Sequence, residues 1–278
     1  MRKYSGVAIT DVGNCRENNE DNFVLFGDYK TDNTVQHLEC EKEEDSNMTV
    51  AAVLDGAGGA DCGEVASLIG ARTIAEIGGL KDNASIRKQL SLVNGKVCAE
   101  IEKRQVKMGS TVAALYFYDD YVVSANVGDS RCYLFRDGTI KQLSHDHSEA
   151  QQMIDCGEIS ESDARTSKKW HVITQYLGKK TGESSWEPCL TGPLQVEPGD
   201  QFLICSDGLT DSLYDEDIES FLREQSNNEV TLTDVARKLI DLALESEGKD
   251  NVTVVLIECK QDETIVAHSA VDSTTYRS

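Results

Sequence analysis

The sequence predicts an α+β fold of mostly antiparallel sheets covered by helices. Three observations carry this. The predicted elements run strands, two helices, a series of strands, an irregular excursion, a strand, helices and a strand, which lacks the regular β-α-β alternation of a parallel sheet. The strand segments either alternate or are apolar throughout, whereas the helical segments repeat apolar residues at spacings of three and four. Turn-forming dipeptides join neighbouring strands.

Residues 4–13, YSGVAITDVG, alternate and then turn at Gly13, and residues 21–27, DNFVLFG, read as a second short strand. Residues 28–47 are polar and acidic, which predicts a long surface loop with a partial strand at 34–39. Residues 48–55, MTVAAVLD, form an apolar run expected to be buried on both faces. Glycines at 56, 58 and 59 break it, and a helix follows from Gly63 to Gly78. Ile86, Leu90, Val93, Val97 and Ile101 mark one apolar stripe of a second helix, Ser85 to Gln105. Strands are then expected at 110–118, 121–128, 131–138 and 139–144, with turns at Asp119-Asp120 and Asp137-Gly138. Residues 146–160 read as helical, and Ser160 with Asp163 resembles a capping box. A buried strand at 200–207, helices at Glu216–Glu224 and Thr233–Glu247, and a strand at 251–260 complete the pattern. Residues 262–278 are expected to be a polar tail.

The formal charge of −22 argues against nonspecific binding to nucleic acid or anionic membrane, both polyanions. No apolar run approaches the length of a membrane span. Nine cysteines are scattered singly, with no CxxC pair and no h-region of a signal peptide before them. Reduced thiols in a cytoplasmic setting are therefore expected, without a zinc site.

Carboxylates stand where apolar runs end or tight turns begin: Asp55 in VLDGAGG, Asp129 in NVGDSR, Asp207 and Asp211 in LICSDGLTD, and Asp250 in GKDNVTVV. Arg16, Glu20 and Asp21 precede them in RENNED. An Asp-Gly pair is usually turn chemistry, and Asp137-Gly138, between two alternating strands, is read as a hairpin turn. The others follow apolar strands and lie far apart in sequence, yet can converge at one sheet end. Hard divalent cations take such oxygen ligands, and the glycine beside Asp55 lets a backbone carbonyl approach as well.

Taken together, these segments resemble the metal-dependent serine/threonine protein phosphatases of the type 2C family in their compact bacterial form. The resemblance runs from about Tyr4 to Cys259. It rests on DVGNCRENNEDNF, VLDGAGGADCGEVAS, MGSTVAAL, NVGDSRCYLFRDGTIKQLSHDHS, GEISESDAR, VITQYLG, PGDQFLICSDGLTDSL and GKDNVTVVLI, met in that order. It implies a four-layer α-β-β-α sandwich, two stacked and mainly antiparallel sheets flanked by helices. Residues 1–261 would form one catalytic domain, with a flap over about 146–193. Two or three Mn²⁺ or Mg²⁺ ions are implied. Asp55 would bridge two of them and the Gly56 carbonyl would bind one. Asp207 and Asp250 would ligate the other, and Glu20 and Asp21 would act largely through water. Asp129, with Asp207 or Asp211, would hold a third, weaker ion. Arg16 would grip the substrate phosphate. The implied reaction is hydrolysis of phosphoserine and phosphothreonine by a hydroxide bridging two metals, without a phosphoenzyme. Its partners would be phosphorylated proteins made by a serine/threonine kinase, and the protein a monomer.

Ala57 departs from relatives that carry His or Met there, and it cannot donate a proton to the leaving group. A positioned acid is worth about 10²–10⁴-fold, so a slower enzyme is expected. The alternatives are a catalytically weak phosphoprotein-binding module and a phosphatase dedicated to one regulator. His145 and His147 are read as flap-entry residues rather than ligands, and Trp170 and Trp186 as pins for the flap. The acidic runs at 40–45 and 214–219 are read as solvated faces.

Overall fold

The structure is a computed structural model describing residues 2–58, 62–180, 186–226, 230–246 and 248–260. Its strands are β1 (Lys3–Asp11), β2 (Asn22–Leu25), β3 (Asp28–Tyr29), β4 (His37–Glu44), β5 (Met48–Leu54), β6 (Gly56–Ala57), β7 (Gly109–Ser110), β8 (Val112–Tyr118), β9 (Tyr121–Val127), β10 (Arg131–Arg136), β11 (Thr139–Gln142), β12 (Cys189–Gln195), β13 (Gln201–Cys205) and β14 (Val252–Lys260). Its helices are α1 (Gly63–Ile77), α2 (Asn83–Arg104), α3 (Glu149–Asp155), α4 (Glu161–Arg165), α5 (Asp207–Ser212), α6 (Asp215–Gln225) and α7 (Leu232–Ser246).

Two sheets stack. One runs β11-β10-β13-β14-β1-β4 and the other β12-β9-β8-β5-β2-β3, while β6 and β7 form a two-stranded ribbon. Neighbours pair antiparallel. Strand periodicity explains the layering, because successive side chains face opposite ways. Ala51, Val53, Leu115 and Phe117 of one sheet meet Ala8, Phe202, Val255 and Ile257 of the other between the layers. Val50, Ala52, Leu54 and Tyr116 face outward onto Ile74 of α1 and onto α2, whose Ile86, Leu90, Val93 and Val97 belong to the stripe read from the sequence. Val252, Val254 and Leu256 face the other way, onto Leu222 of α6 and Val235 and Leu239 of α7. The four-layer sandwich is thus the observed architecture.

Two segments differ from expectation. The acidic stretch 28–47 is not mainly loop: His37–Glu44 pairs with β1 over its whole length. Leu38 and Cys40 turn toward the inter-sheet core, while Glu39 pairs with Arg237 at 2.6 Å and Glu43 with Lys260 at 2.9 Å. The period of two was present but hidden by charge, and a charged strand suits a sheet edge because it discourages pairing with another chain. The second difference is Cys189–Gln195, an edge strand on β9, so the excursion rejoins the sheet at Cys189. Pro193 and Gly192 concealed it. The expected tail at 262–278 lies outside the described residues.

The inter-sheet core sets the stability of the frame. Phe117 is 1% exposed, stacks edge-on to Phe202 at 5.2 Å and lies 4.7 Å from Tyr4. Phe117→Ala is expected to cost about 3–5 kcal/mol in urea unfolding. A loss under about 1 kcal/mol would contradict the packing described.

Candidate metal centre

Strand register brings the sequence-predicted carboxylates to one end of the sandwich. In the first sheet Asp11 faces Val252, Cys205 faces Val254, and Arg131 faces Cys205. Asp129, Asp207 and Asp250 therefore lie just beyond strand ends on that side, and Glu20 and Asp21 lie just before β2 of the second sheet. In the second sheet Asn22 faces Leu54 and Val127 faces Val112, which brings in Asp55.

Asp55 and Asp207 face each other across the gap between the sheets, near enough for each carboxyl group to act on the other's charge. Burial first, and then the neighbouring carboxylates, hold both well above the usual carboxylate range. Burial raises Asp129 to about 7, helped by Asp146. Burial raises Asp21 to about 6, even though hydroxyl donors oppose the shift. Those donors are Ser206 and Thr253, at 2.8 and 2.7 Å from one Asp21 oxygen. Asp211 is raised by burial too, and Glu20 by burial and then Glu64.

Crowded carboxyls of this kind call for cations. Asp21 Oδ1, Asp129 Oδ1 and Asp207 Oδ1 are buried without a hydrogen-bond partner, and such orphaned acceptors are costly unless something fills them. The donor set is oxygen, which fits Mn²⁺ or Mg²⁺. The backbone is shaped for close approach. A Cβ on Gly56 would stand 2.3 Å from the Gly63 carbonyl oxygen, and one on Gly208 would stand 2.1 Å from that of Asn251. Only glycine lets these loops close on one another.

Arg16 Nη2 donates to Asp250 Oδ2 at 2.7 Å, with its side chain 54% exposed. It reaches the centre from the solvent side. His147 and His145 stay out of the cluster. His147 Nδ1 accepts from the Gly128 N–H at 3.1 Å, and burial followed by the His145 charge lowers it to about 4. His145 pairs with Asp155 at 2.9 Å. Trp170 donates to Asp211 Oδ1 at 2.8 Å, which ties the 146–193 segment to α5, whereas Trp186 donates to the Tyr176 carbonyl within that segment at 3.0 Å. Asp215, expected to be solvated, instead accepts from Tyr133 at 3.0 Å and pairs with buried Arg131.

Sequence reasoning missed the residues that hold these carboxylates in place. Asn251 accepts from Glu20 N at 2.8 Å and donates to the carbonyls of Val12 and Asn18 at 2.9 and 3.0 Å. Thr111 receives Asp55 N–H on its hydroxyl and bonds Ser130 at 2.6 Å, joining the Asp55 and Asp129 loops. His171 of the flap was also missed. Its ring nitrogen and one oxygen each of Asp207 and Asp211 all lie within 4.8 Å of one another. A lone His after Trp170 carries no spacing signal that would have marked it. Beside the centre opens a cleft of about 710 Å³, lined by Ala57, Gly58, Lys107, Met108, Ile173 and Tyr176 among others.

Asn251 is 5% exposed, so Asn251→Ala removes several buried hydrogen bonds at once. It is expected to cost about 1–3 kcal/mol and to speed amide hydrogen exchange at residues 12–20. Unchanged exchange there would contradict its role as the tie of that loop.

The family model described as protein phosphatase 2C matches residues 38–242. The serine/threonine phosphatase Stp of Listeria welshimeri is 32% identical over 259 residues, 90% of this chain and 93% of that protein. The serine/threonine protein phosphatase PstP of Mycobacterium tuberculosis is 35% identical over 74% of this chain and 40% of that protein. Among solved structures, the catalytic domain of PstP in complex with two manganese ions aligns at a TM-score of 0.75 with 29% identity, covering 94% of this chain and 100% of that one. The Streptococcus agalactiae serine/threonine phosphatase aligns at 0.74 with 28% identity, covering 91% and 99%. The sandwich, the carboxylates gathered at its end and these likenesses agree: the chain belongs to the protein phosphatase 2C family.

Proposed function

We propose that this serine/threonine protein phosphatase of the 2C type hydrolyses phosphoserine and phosphothreonine in proteins by direct attack of water at phosphorus, aided by divalent cations. The observation that carries the reading is the meeting of Asp55 and Asp207 beside unpartnered oxygens of Asp21, Asp129 and Asp207. The manganese held by PstP is the model for the ions here. Asp55 and the Gly56 carbonyl would hold one, Asp55, Asp207 and Asp250 the other, and Asp129 with Asp207 or Asp211 a third. Once bound, Mn²⁺ or Mg²⁺ supplies acidity to water and neutralises phosphate charge.

The chain's own groups do the rest. Arg16 leaves Asp250 to offer its planar fork to phosphate oxygens. Glu20 and Asp21, anchored by Asn251, Ser206 and Thr253, orient water. No side chain replaces water as nucleophile: Ser206 is fully buried and donates to Asp21, and Cys62 and Cys205 are buried. Ala57 is exposed on the cleft and offers the leaving group no proton, so that proton must come from water or another residue. We read residues 1–261 as one catalytic domain. We further read the protein as a cytoplasmic monomer that opposes a serine/threonine kinase. No described helix is long and apolar enough to cross a membrane.

The direct test is hydrolysis of a phosphothreonine peptide in EDTA, Mg²⁺ and Mn²⁺. Activity is expected only with metal. Asp55→Asn and Asp207→Asn are each expected to lose more than the roughly 10–100-fold that supporting residues cost. Absence of activity in every metal, with the protein folded, would overturn the reading.

Stability should report the same centre. A carboxyl raised above its unfolded value binds more protons in the folded state, so its contribution is full below about pH 4 and is lost as pH rises through the folded value. For Asp21 and Asp129 those values are about 6 and 7. Cations favour the charged forms and reverse this. The rise in melting temperature caused by Mn²⁺ is therefore expected to grow from pH 5 to pH 7.5. A pH-independent rise would contradict it.

A further inference from the structure

We infer that His171 is a ligand of the third cation and that this ion fastens the flap to the centre. The inference rests on the metal-dependent reading above and adds to it a nitrogen donor from outside the carboxylate cluster. Three features of the structure carry it.

The first is geometry. Ring nitrogen and carboxylate oxygens of His171, Asp207 and Asp211 lie within 4.8 Å of one another, close to the roughly 4–5 Å spanned by opposite ligands of one cation. Trp170 occupies Asp211 Oδ1 at 2.8 Å, and Asp211 Oδ2 faces His171 Nδ1 at 3.3 Å. Asp211 therefore keeps one oxygen for an ion, on the side where the imidazole stands.

The second is a pair of buried acceptors without partners. Asp129 is 8% exposed and its Oδ1 has no hydrogen-bond partner, and Asp207 Oδ1 has none either. Asp129, Asp207 and Asp211 line one small space of about 10 Å³ together with Arg131, Asp146 and Trp170 among others, room for about one water or ion, and His171 stands outside that lining, on the adjoining cleft.

The third is the mounting of the histidine. Trp170 lies between two guanidinium groups, 5.5 Å from Arg131 and 5.2 Å from Arg165. Arg165 donates to the carbonyls of Thr210 and Leu213 around α5. The segment is thus already clasped to the short helix that carries Asp207 and Asp211, and His171, the next residue after Trp170, meets Asp211 Oδ2 at 3.3 Å. An ion bound by α5 and His171 together joins two parts of the chain. Its occupancy and the closed flap must then favour each other.

The chemistry has a consequence for metal choice. Mg²⁺ prefers oxygen and keeps its waters, whereas imidazole suits transition metals. A site with one nitrogen favours Mn²⁺ over Mg²⁺ beyond what the carboxylates alone would give.

The test is pulsed electron spin-echo spectroscopy of the intact protein loaded with Mn²⁺, together with Mn²⁺ and Mg²⁺ binding titrations. A directly coordinated ¹⁴N signal is expected in the wild type and is expected to vanish in His171→Ala. The weakest Mn²⁺ site should lose about tenfold or more in affinity in that variant, with a smaller change for Mg²⁺. His171→Asp, which restores an oxygen donor, should recover Mg²⁺ binding more than Mn²⁺ binding. Hydrogen exchange at residues 166–178 should slow on filling that site in the wild type and not in His171→Ala. Mn²⁺ bound without a coordinated nitrogen in the wild type would overturn the inference and leave the phosphatase reading standing. A protein that binds no Mn²⁺ would overturn both.

Discussion

Repulsion among carboxyl groups at one end of the sandwich is the constraint on which the rest of the structure depends. Like charges about 4 Å apart repel by about 4 kcal/mol at an effective dielectric near 20, and burial adds to that cost. Asp55 and Asp207 meet, and Asp21 and Asp129 keep oxygens with no partner. Without cations the cluster relieves itself only by holding protons. With cations the same groups become a ligand set. This also bears on the chain's net charge of −22: under the proposed function, bound cations and Arg16 would invert the local field that an anionic phosphate meets.

Everything around the cluster serves to hold it together. The two sheets place their strand ends on the same side, and the inter-sheet aromatics fix their separation. Asn251 ties the loop of Arg16 and Glu20 to the start of β14, and Thr111 with Ser130 ties the loop of Asp55 to that of Asp129. The flap reaches in through Trp170 and His171, which meet Asp211 from the solvent side. Metal binding is therefore expected to couple to folding rather than to decorate a finished frame.

Much of this was legible in the sequence. Apolar runs ending in Asp-Gly marked Asp55 and Asp207, and the apolar stripe of α2 followed from spacing. The edge strand at His37–Glu44 was obscured because its outward positions are almost all glutamate, which reads as loop by composition. The edge strand at Cys189–Gln195 was obscured by Gly192 and Pro193. Within the site, the carboxylates that gather there were readable because they stand at tight turns after apolar strands. Supporting residues were not, since Asn251, Thr111 and Arg131 act through partners that are remote in sequence. His171 belongs to the same class, because its neighbours Asp207 and Asp211 come to it only through folding of the flap onto α5.

The central claim is that the carboxylates form one cation centre. Anomalous diffraction at the manganese edge, from crystals grown with Mn²⁺, tests it most directly. The account predicts strong peaks between Asp55, Gly56, Asp207 and Asp250 and a weaker one beside Asp129, Asp211 and His171. A fully occupied crystal with no peak among these residues would contradict it.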